Sequence, residues 1–128
     1  MRILLDTCTV LWATLSPERL SLEARKLITD ESNVVYVSAA SAWEIATKFR
    51  KGKLPEAEPL ECNFLEAMEA AGYTLLPVDA AQGLRAGRLV SDHRDPFDRM
   101  IAAQALGLDI PVVTPDSLLD EFGVRRIW

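Results

Sequence analysis

The chain has 128 residues, of which 49% are hydrophobic and 26% charged, so it can bury a core of its own without disulfides. These proportions exclude a disordered, collagen-like or low-complexity chain. The 14 Lys and Arg against 19 Asp and Glu leave a net charge of −5. A chain of that charge is a poor general binder of nucleic acid or anionic membrane, so acting on a polyanion requires a bound cation or a local basic patch.

In chain order, short β-like runs alternate with helix-like segments. The pattern predicts strand Arg2–Leu5, helix Ser21–Thr29, strand Val34–Val37, helix Ser41–Lys51, loop Gly52–Pro59, helix Leu60–Ala71, strand Tyr73–Pro77, helices Ala80–Arg88 and Pro96–Leu106, strand Ile110–Val113, short helix Pro115–Glu121 and strand Val124–Trp128. This alternation predicts an α/β fold with a small, mainly parallel sheet covered on both faces, in a single domain over residues 1–128.

The compartment is expected to be the cytoplasm. Cys8 and Cys62 are too few for a disulfide framework and are expected to be reduced. The first apolar run stops at Asp6, which is too early for a secretory signal. No run approaches the ~20 apolar residues of a membrane helix, so no membrane partner is expected.

Carboxylates follow the predicted strands or open the predicted helices. Asp6 follows the first strand, Asp116 follows the fourth, Glu44 lies in the first turn after the second, and Asp98 opens the Pro96 helix. Functional sites of parallel sheets form at the carboxyl ends of the strands. We therefore expect these acids to meet at one edge of the sheet.

Each acid also has an ordinary structural explanation. Asp6 and Asp95 are suitable helix N-caps, and Asp98 at the third helical position can complete a capping box. Thr114 as cap, Pro115 at the first position and Asp116 at the second would likewise begin a helix. Glu44 can form an exposed pair with Lys48, which would contribute only ~0.3–0.5 kcal/mol. Capping does not explain why several such acids coincide at strand ends.

Crowded carboxylates raise one another's pKa, and a hard divalent cation relieves that repulsion. Mg²⁺, or Mn²⁺ as the alternative, prefers such oxygen ligands and often bridges to phosphate. His93 is the single histidine and is most simply a polar loop residue, so a zinc site is not expected. Two basic groups flank the acids: Lys48, Arg50, Lys51 and Lys53, and then Arg85, Arg88, Arg94 and Arg99.

Taken together, these stretches resemble a known family. They are Leu4-Leu5-Asp6-Thr7, SAASAWEIATKFRKGKL from Ser38, DPFDRMIAAQAL from Asp95, VTPD from Val113, Phe122-Gly123-Val124 and the terminal Ile127-Trp128. In order and spacing they resemble the PIN-domain ribonucleases, specifically the VapC-type toxins of bacterial toxin–antitoxin pairs. Cys8 departs from this pattern, because many relatives of the subgroup carry histidine there.

The resemblance implies a three-layer α/β/α sandwich and a Mg²⁺-dependent endoribonuclease that leaves 5′-phosphate and 3′-hydroxyl ends. It maps the catalytic acids onto Asp6, Glu44, Asp98 and Asp116, with Asp6, Asp98 and Asp116 as metal ligands and Thr7, Ser41 and Thr114 as supporting residues. Asp95 is not mapped to a catalytic acid, and we expect it to cap the helix that begins at Pro96. Lys48, Arg94 and Arg99 are the expected contacts to the RNA backbone.

The resemblance also implies a homodimer and a cognate antitoxin that covers the active site. Apolar stripes on Ser21–Thr29 and Ser41–Lys51 look wider than the core needs, and we expect them to form the dimer face and the antitoxin groove.

Two other functions remain open. The stretch from Asp6 to Val10 is similar to the start of haloacid-dehalogenase phosphatases, although Cys8 stands where that class needs its second acid. A PIN fold that only binds a partner is the non-enzymatic alternative, and the four intact acid positions argue against it.

Overall fold

The computed structural model describes all 128 residues and is built on a parallel sheet. Its strands are β1 (Arg2–Leu5), β2 (Val34–Ser38), β3 (Thr74–Leu76), β4 (Val112–Val113) and β5 (Arg126–Ile127). Every neighbouring pair is parallel, and the order is β3-β2-β1-β4-β5. Because β1 lies between β2 and β4, the residues that follow these three strands meet at one edge.

Helices connect the strands and cover both faces of the sheet. They are α1 (Thr7–Leu15), α2 (Leu22–Thr29), α3 (Ala39–Arg50), α4 (Glu58–Glu61), α5 (Phe64–Ala71), α6 (Ala80–Arg88) and α7 (Pro96–Leu108), with short 3₁₀ turns at Pro17–Arg19, Pro55–Ala57 and Ser117–Phe122. None of these helices has the length and apolar character of a membrane span.

Two separate apolar cores confirm the three-layer α/β/α sandwich. Successive side chains of β1 point to opposite faces, so Ile3 and Leu5 pack in one core and Leu4 in the other. The first core includes side chains of α1 to α5, among them Ile45 and Met68. The second core is formed with α7, the Ser117–Phe122 turn and Val124. The strand and helix alternation read from the sequence therefore describes the architecture correctly.

Capping explains where the helices after β1 and β2 begin. Ser38 accepts a hydrogen bond from the Ala40 amide at 3.0 Å, so α3 begins at Ala39, two residues earlier than expected. Glu44 consequently lies in the second turn of α3, not the first. α1, which the sequence suggested only through the capping potential of Asp6, is a full helix of 9 residues.

Other element boundaries also differ from those expected. The segment predicted as helix Leu60–Ala71 is two helices, because Asn63 leaves the helical region at φ −142°. α7 continues past Gly107 to Leu108, and the residue that caps its end, Asp109, adopts the left-handed conformation at φ 53°. After β4, a 3₁₀ turn replaces the expected helix, and Asp116 itself is the N-cap in place of Thr114.

The expected apolar stripes are mostly used inside the protein. On α2, Ala24 and Ile28 belong to the first core and only Leu22 is left exposed. On α3, Ile45 is buried, whereas Trp43 is 62% exposed. The prediction of a broad partner face on α2 is therefore wrong, because the core takes up that stripe.

Candidate active site

Asp6 is both a helix cap and a buried acid at the edge of the sheet. One carboxylate oxygen accepts from the Thr9 amide at 2.9 Å, and the other accepts from the Thr114 hydroxyl at 2.5 Å. The residue is only 5% exposed. Burial raises its pKa, against the opposing effect of these hydrogen bonds. Capping and chemistry are therefore compatible at this position.

Thr114 connects Asp6 to Asp116. While its hydroxyl donates to Asp6, its oxygen accepts from the Asp116 amide at 3.0 Å. Asp116 then caps the following turn by accepting from the Leu118 amide at 3.0 Å. The backbone around Asp116 is thus held in a defined position beside Asp6, as expected of a supporting threonine.

Thr7 and Ser41, the other two residues expected to support the acids, bridge α1 and α3. The hydroxyls of Thr7 and Ser41 lie 3.0 Å apart, and both residues are buried. This contact joins the helix that follows Asp6 to the helix that carries Glu44. It fixes the separation of the two acids without contacting either of them.

Glu44 is buried, and only one of its two carboxylate oxygens has a hydrogen-bond partner. Its Oε2 lies 2.5 Å from the Lys48 ammonium, as the spacing of the two residues predicted, but Glu44 is only 5% exposed. Its Oε1 is buried without any hydrogen-bond partner. Such an orphaned carboxylate oxygen is costly unless a further ligand or solvent reaches it.

Lys48 shows that acids other than Glu44 lie nearby. Partial burial acts to lower the pKa of its ammonium group. The hydrogen bond with Glu44 and the charges of Glu44, Asp95 and Asp98 outweigh that effect and raise the pKa. Lys48 therefore compensates a local concentration of negative charge.

The pKa of Asp98, like that of Asp6, is raised above its ordinary value. Burial, together with the charges of Asp95 and Glu44, raises its pKa to about 6 against the opposing hydrogen bond from His93. The His93 Nε2 lies 2.8 Å from Asp98 Oδ2. Asp95 caps α7 as expected, since its carboxylate accepts from the amides of Phe97 and Asp98 at 2.9 and 3.2 Å.

The four acids form two pairs, not the single cluster that the sequence led us to expect. Asp6 and Asp116 are linked through Thr114, and the charge of Glu44 contributes to the raised pKa of Asp98. As the side chains stand, no three His, Cys, Asp or Glu residues form a group that could hold one ion. Within the second pair, Lys48 contacts Glu44 and His93 contacts Asp98.

The donor chemistry nevertheless fits a hard cation. All four groups are carboxylates, Glu44 Oε1 is orphaned, and burial disfavours the ionised forms of Asp6 and Asp98. A divalent cation relieves each of these costs by binding ionised oxygen ligands. Zinc does not fit, since the single histidine is paired with Asp98 and Cys62 is exposed elsewhere.

The three residues expected to contact RNA differ in what their side chains contact. Lys48 pairs with Glu44 but is partly exposed, and Arg94 is exposed. Arg99 instead donates to the backbone carbonyls of Ala86, His93 and Leu89. Its guanidinium group is therefore committed to the fold, and we do not retain it as a phosphate contact.

Two features of the site escaped sequence reasoning. The sequence indicates only a polar loop residue at His93, but a side chain five positions before Asp98, across the start of α7, can reach that carboxylate. Cys8 Sγ lies 3.5 Å from both Asp6 oxygens. Burial and the Asp6 charge raise the pKa of the Cys8 thiol, so it remains neutral beside the acid.

An apolar cavity of about 430 Å³ lies between α3, α6 and α7. Trp43 and Phe97 form part of its lining, with ring centroids 4.8 Å apart in an edge-to-face arrangement. These residues immediately precede Glu44 and Asp98 in the chain. The cavity therefore adjoins the helices that carry the second pair of acids.

The residues that form most of this sheet and its acids match a family model. The PIN domain family model matches residues 3–124, and the chain belongs to the PIN domain family. The expected family is thus confirmed over nearly the whole chain.

One curated relative is Ribonuclease VapC16 of Mycobacterium tuberculosis (strain ATCC 25618 / H37Rv). It is 44% identical over 59 residues, which cover 46% of this chain and 42% of that protein. The match therefore spans less than half the length of that relative.

Solved structures share the fold over almost the full chain. VapBC2 from Rickettsia felis, bound to a DNA fragment from its promoter, gives a TM-score of 0.70 at 15% identity, covering 100% of this chain and 99% of the other. FitAcB from Neisseria gonorrhoeae gives 0.63 at 23% identity, covering 98% and 96%. VapBC-1 from nontypeable Haemophilus influenzae gives 0.60 at 14% identity, covering 99% and 97%.

Proposed function

We propose that this chain is a VapC-type endoribonuclease that hydrolyses RNA phosphodiester bonds with a divalent cation, Mg²⁺ or Mn²⁺. Membership of the PIN domain family and the partial match to a ribonuclease support the reaction class. The observation that carries the proposal is the buried, unpartnered Oε1 of Glu44 beside the perturbed Asp98. An oxygen in that state is stabilised by a bound cation or by a water molecule held on one.

The proposed metal ligands are Asp6, Asp98 and Asp116, with Glu44 as the fourth catalytic acid. When bound, the cation would supply Lewis acidity and a water of lowered pKa. Thr9 and Thr114 hold the Asp6 carboxylate in one orientation, so it is organised before substrate arrives. Glu44, whose free oxygen is the least satisfied, would accept a hydrogen bond from the attacking water.

Contacts to the RNA backbone are assigned to Lys48 and Arg94. Both are partly or fully exposed cations close to the acids, in a chain whose net charge of −5 otherwise repels RNA. Lys48 already offsets the charges of Glu44, Asp95 and Asp98. A substrate phosphate would compete for the same ammonium group once a cation takes over the acids.

The proposed protein partners are a second copy of the chain and a cognate antitoxin. The exposed Trp43 and the apolar cavity beside it support a protein-binding surface between α3, α6 and α7. Structural similarity to VapBC and FitAcB complexes is consistent with this assignment. The cavity adjoins the acids, so an occupant there would restrict access to them.

The reaction is tested with 5′-labelled single-stranded RNA incubated with the purified chain and Mg²⁺ or Mn²⁺. Endonucleolytic products with 5′-phosphate and 3′-hydroxyl ends, lost on chelation and restored by added metal, are expected. If the chain, purified free of any partner, binds metal but cuts no RNA, the result would favour the inactive binding module. Release of phosphate from a generic monoester would instead favour the phosphatase alternative.

A further inference from the structure

One side chain of α7, Arg99, donates hydrogen bonds to backbone carbonyls at the end of α6 and in the segment that follows it. Arg99 donates through Nε to the Ala86 carbonyl at 3.0 Å, through Nη1 to the His93 carbonyl at 2.8 Å, and through Nη2 to the Leu89 carbonyl. A longer contact of 3.4 Å reaches the Ser91 carbonyl. Arg99 therefore satisfies the backbone of a segment that has no regular secondary structure.

Within that segment, His93 is fixed on three sides. Its carbonyl accepts from Arg99, and its amide donates to the Ser91 hydroxyl oxygen at 3.0 Å. Its ring packs edge-to-face on Phe122 with centroids 5.4 Å apart. Side-chain exposure of only 15% leaves the imidazole little freedom to turn away.

The ring so fixed presents Nε2 to Asp98 Oδ2 at 2.8 Å. With Asp98 ionised, as a metal ligand must be, Nε2 carries the proton and donates it to the carboxylate. One oxygen of Asp98 is then occupied by His93, and the other is left for the cation. A histidine that merely filled the loop would need none of these three constraints.

We propose that His93 is a positioning residue that orients the Asp98 carboxylate for the divalent cation, and that Arg99 acts through it by holding residues 86–93. This inference rests on the proposed function, because it concerns one of the assigned ligands. Partners that orient ligating carboxylates typically change metal affinity or activity by 10–100-fold when removed. Removing the imidazole takes away one edge-to-face contact with Phe122 and no side chain of the apolar cores, so the variant is expected to fold.

The primary test is Mn²⁺ affinity by calorimetry on the intact chain, which does not depend on RNA cleavage. His93→Ala is expected to weaken Mn²⁺ binding by roughly 10-fold or more. His93→Gln, whose amide nitrogen reaches about as far as Nε2, is expected to recover most of the affinity. Asp92→Asn, an exposed neighbour in the same segment, is the matched control and should bind Mn²⁺ like the parent.

The role of Arg99 is tested by a double-mutant cycle. Arg99→Lys keeps the charge but cannot reach three carbonyls at once, so Mn²⁺ affinity should fall as in His93→Ala. If Arg99 acts through His93, the double variant should be no weaker than the worse single variant. Melting temperatures of all variants verify that the comparison is made between folded proteins.

The outcomes separate this inference from the proposed function. Equal Mn²⁺ affinity of folded His93→Ala and the parent would overturn the positioning role, even if the parent cleaves RNA. Additive losses in the cycle would overturn the part assigned to Arg99. A parent that binds Mn²⁺ in a His93-dependent way but cuts no RNA would uphold the inference and refute the nuclease, whereas a parent that binds no Mn²⁺ would refute both.

Discussion

Asp6 combines two roles that the sequence left as alternatives. It caps α1 through the Thr9 amide and presents a buried carboxylate beside Thr114. An asparagine there keeps an oxygen for Thr9, but its NH₂ group must face a Thr114 oxygen that already accepts from the Asp116 amide. The substitution removes a buried charge and reverses the direction of the hydrogen bond with the Thr114 hydroxyl, whose oxygen has a second lone pair to accept it.

We expect Asp6→Asn to remain folded and to lose metal-dependent RNA cleavage by orders of magnitude, because one ligand charge is gone. The rise in melting temperature on adding Mn²⁺ should also shrink. Asp79→Asn is the control, since Asp79 caps α6 in the same way by accepting from the Gln82 amide. Full cleavage activity of Asp6→Asn would show that this acid is not a ligand.

The raised pKa of Asp98 makes stability depend on pH in a defined direction. Its pKa is about 6 in the fold against an ordinary 3.8, so between these values the folded state binds more protons than the unfolded state. Stability without metal therefore falls as pH rises through that window. Asp98→Asn cannot ionise and should escape this loss.

The measurement is the melting temperature of the parent and Asp98→Asn in chelator from pH 4 to pH 7. The melting temperature of the variant should rise relative to that of the parent as pH increases. Added Mn²⁺ should raise the melting temperature of the parent most near pH 7. A difference in melting temperature that is independent of pH would mean that Asp98 is not held in its protonated form by the fold.

At the scale of the elements, the start of α7 separates two neighbouring acids. Asp95 accepts from two amides of the first turn, whereas Asp98 bonds to His93 and is perturbed by Glu44. The sequence assigned the capping role of Asp95 correctly, because a proline at the first helical position identifies the preceding residue as the cap. The assignment of Asp98 to the metal stays a prediction. It did not reveal His93, since contact across a loop depends on the path of the backbone.

Asp95→Ser should retain most cleavage activity. Serine is a comparable N-cap, so the cost is about a few tenths of a kcal/mol in unfolding free energy, measured by denaturant titration. Asp98→Asn, compared side by side in a Mg²⁺ titration of cleavage, should no longer respond to metal. The reverse outcome, an inactive Asp95→Ser and a metal-responsive Asp98→Asn, would place the third acid at Asp95.

At the scale of the whole molecule, alternation of strands and helices was sufficient to predict the sandwich, whereas the choice of acids at the strand ends stays a prediction. The strand order that brings β1 between β2 and β4 is a tertiary property and had to be seen. The partners of the acids also depend on the tertiary structure, in which Lys48 contacts Glu44 and His93 contacts Asp98. The stripe on α2 was misjudged because its residues pack into the core.

The surface that remains apolar predicts self-association. Trp43 is 62% exposed beside the cavity, and Leu65 is 65% exposed on α5, which packs in the other core. Light scattering at micromolar concentration should give a dimer mass for the parent and for Leu65→Glu, and a monomer mass for Trp43→Glu. A parent that is monomeric at these concentrations would contradict the dimer.

In the proposed function, the two pairs of acids at one sheet edge act together in metal-dependent cleavage of RNA. The most direct measurement is the single-turnover cleavage rate of a labelled RNA as a function of Mg²⁺ concentration, for the parent and for Asp98→Asn. The parent rate should rise to saturation and vanish in chelator, while the variant stays near the uncatalysed rate at all concentrations. Equal cleavage by both proteins, insensitive to chelator, would contradict the account.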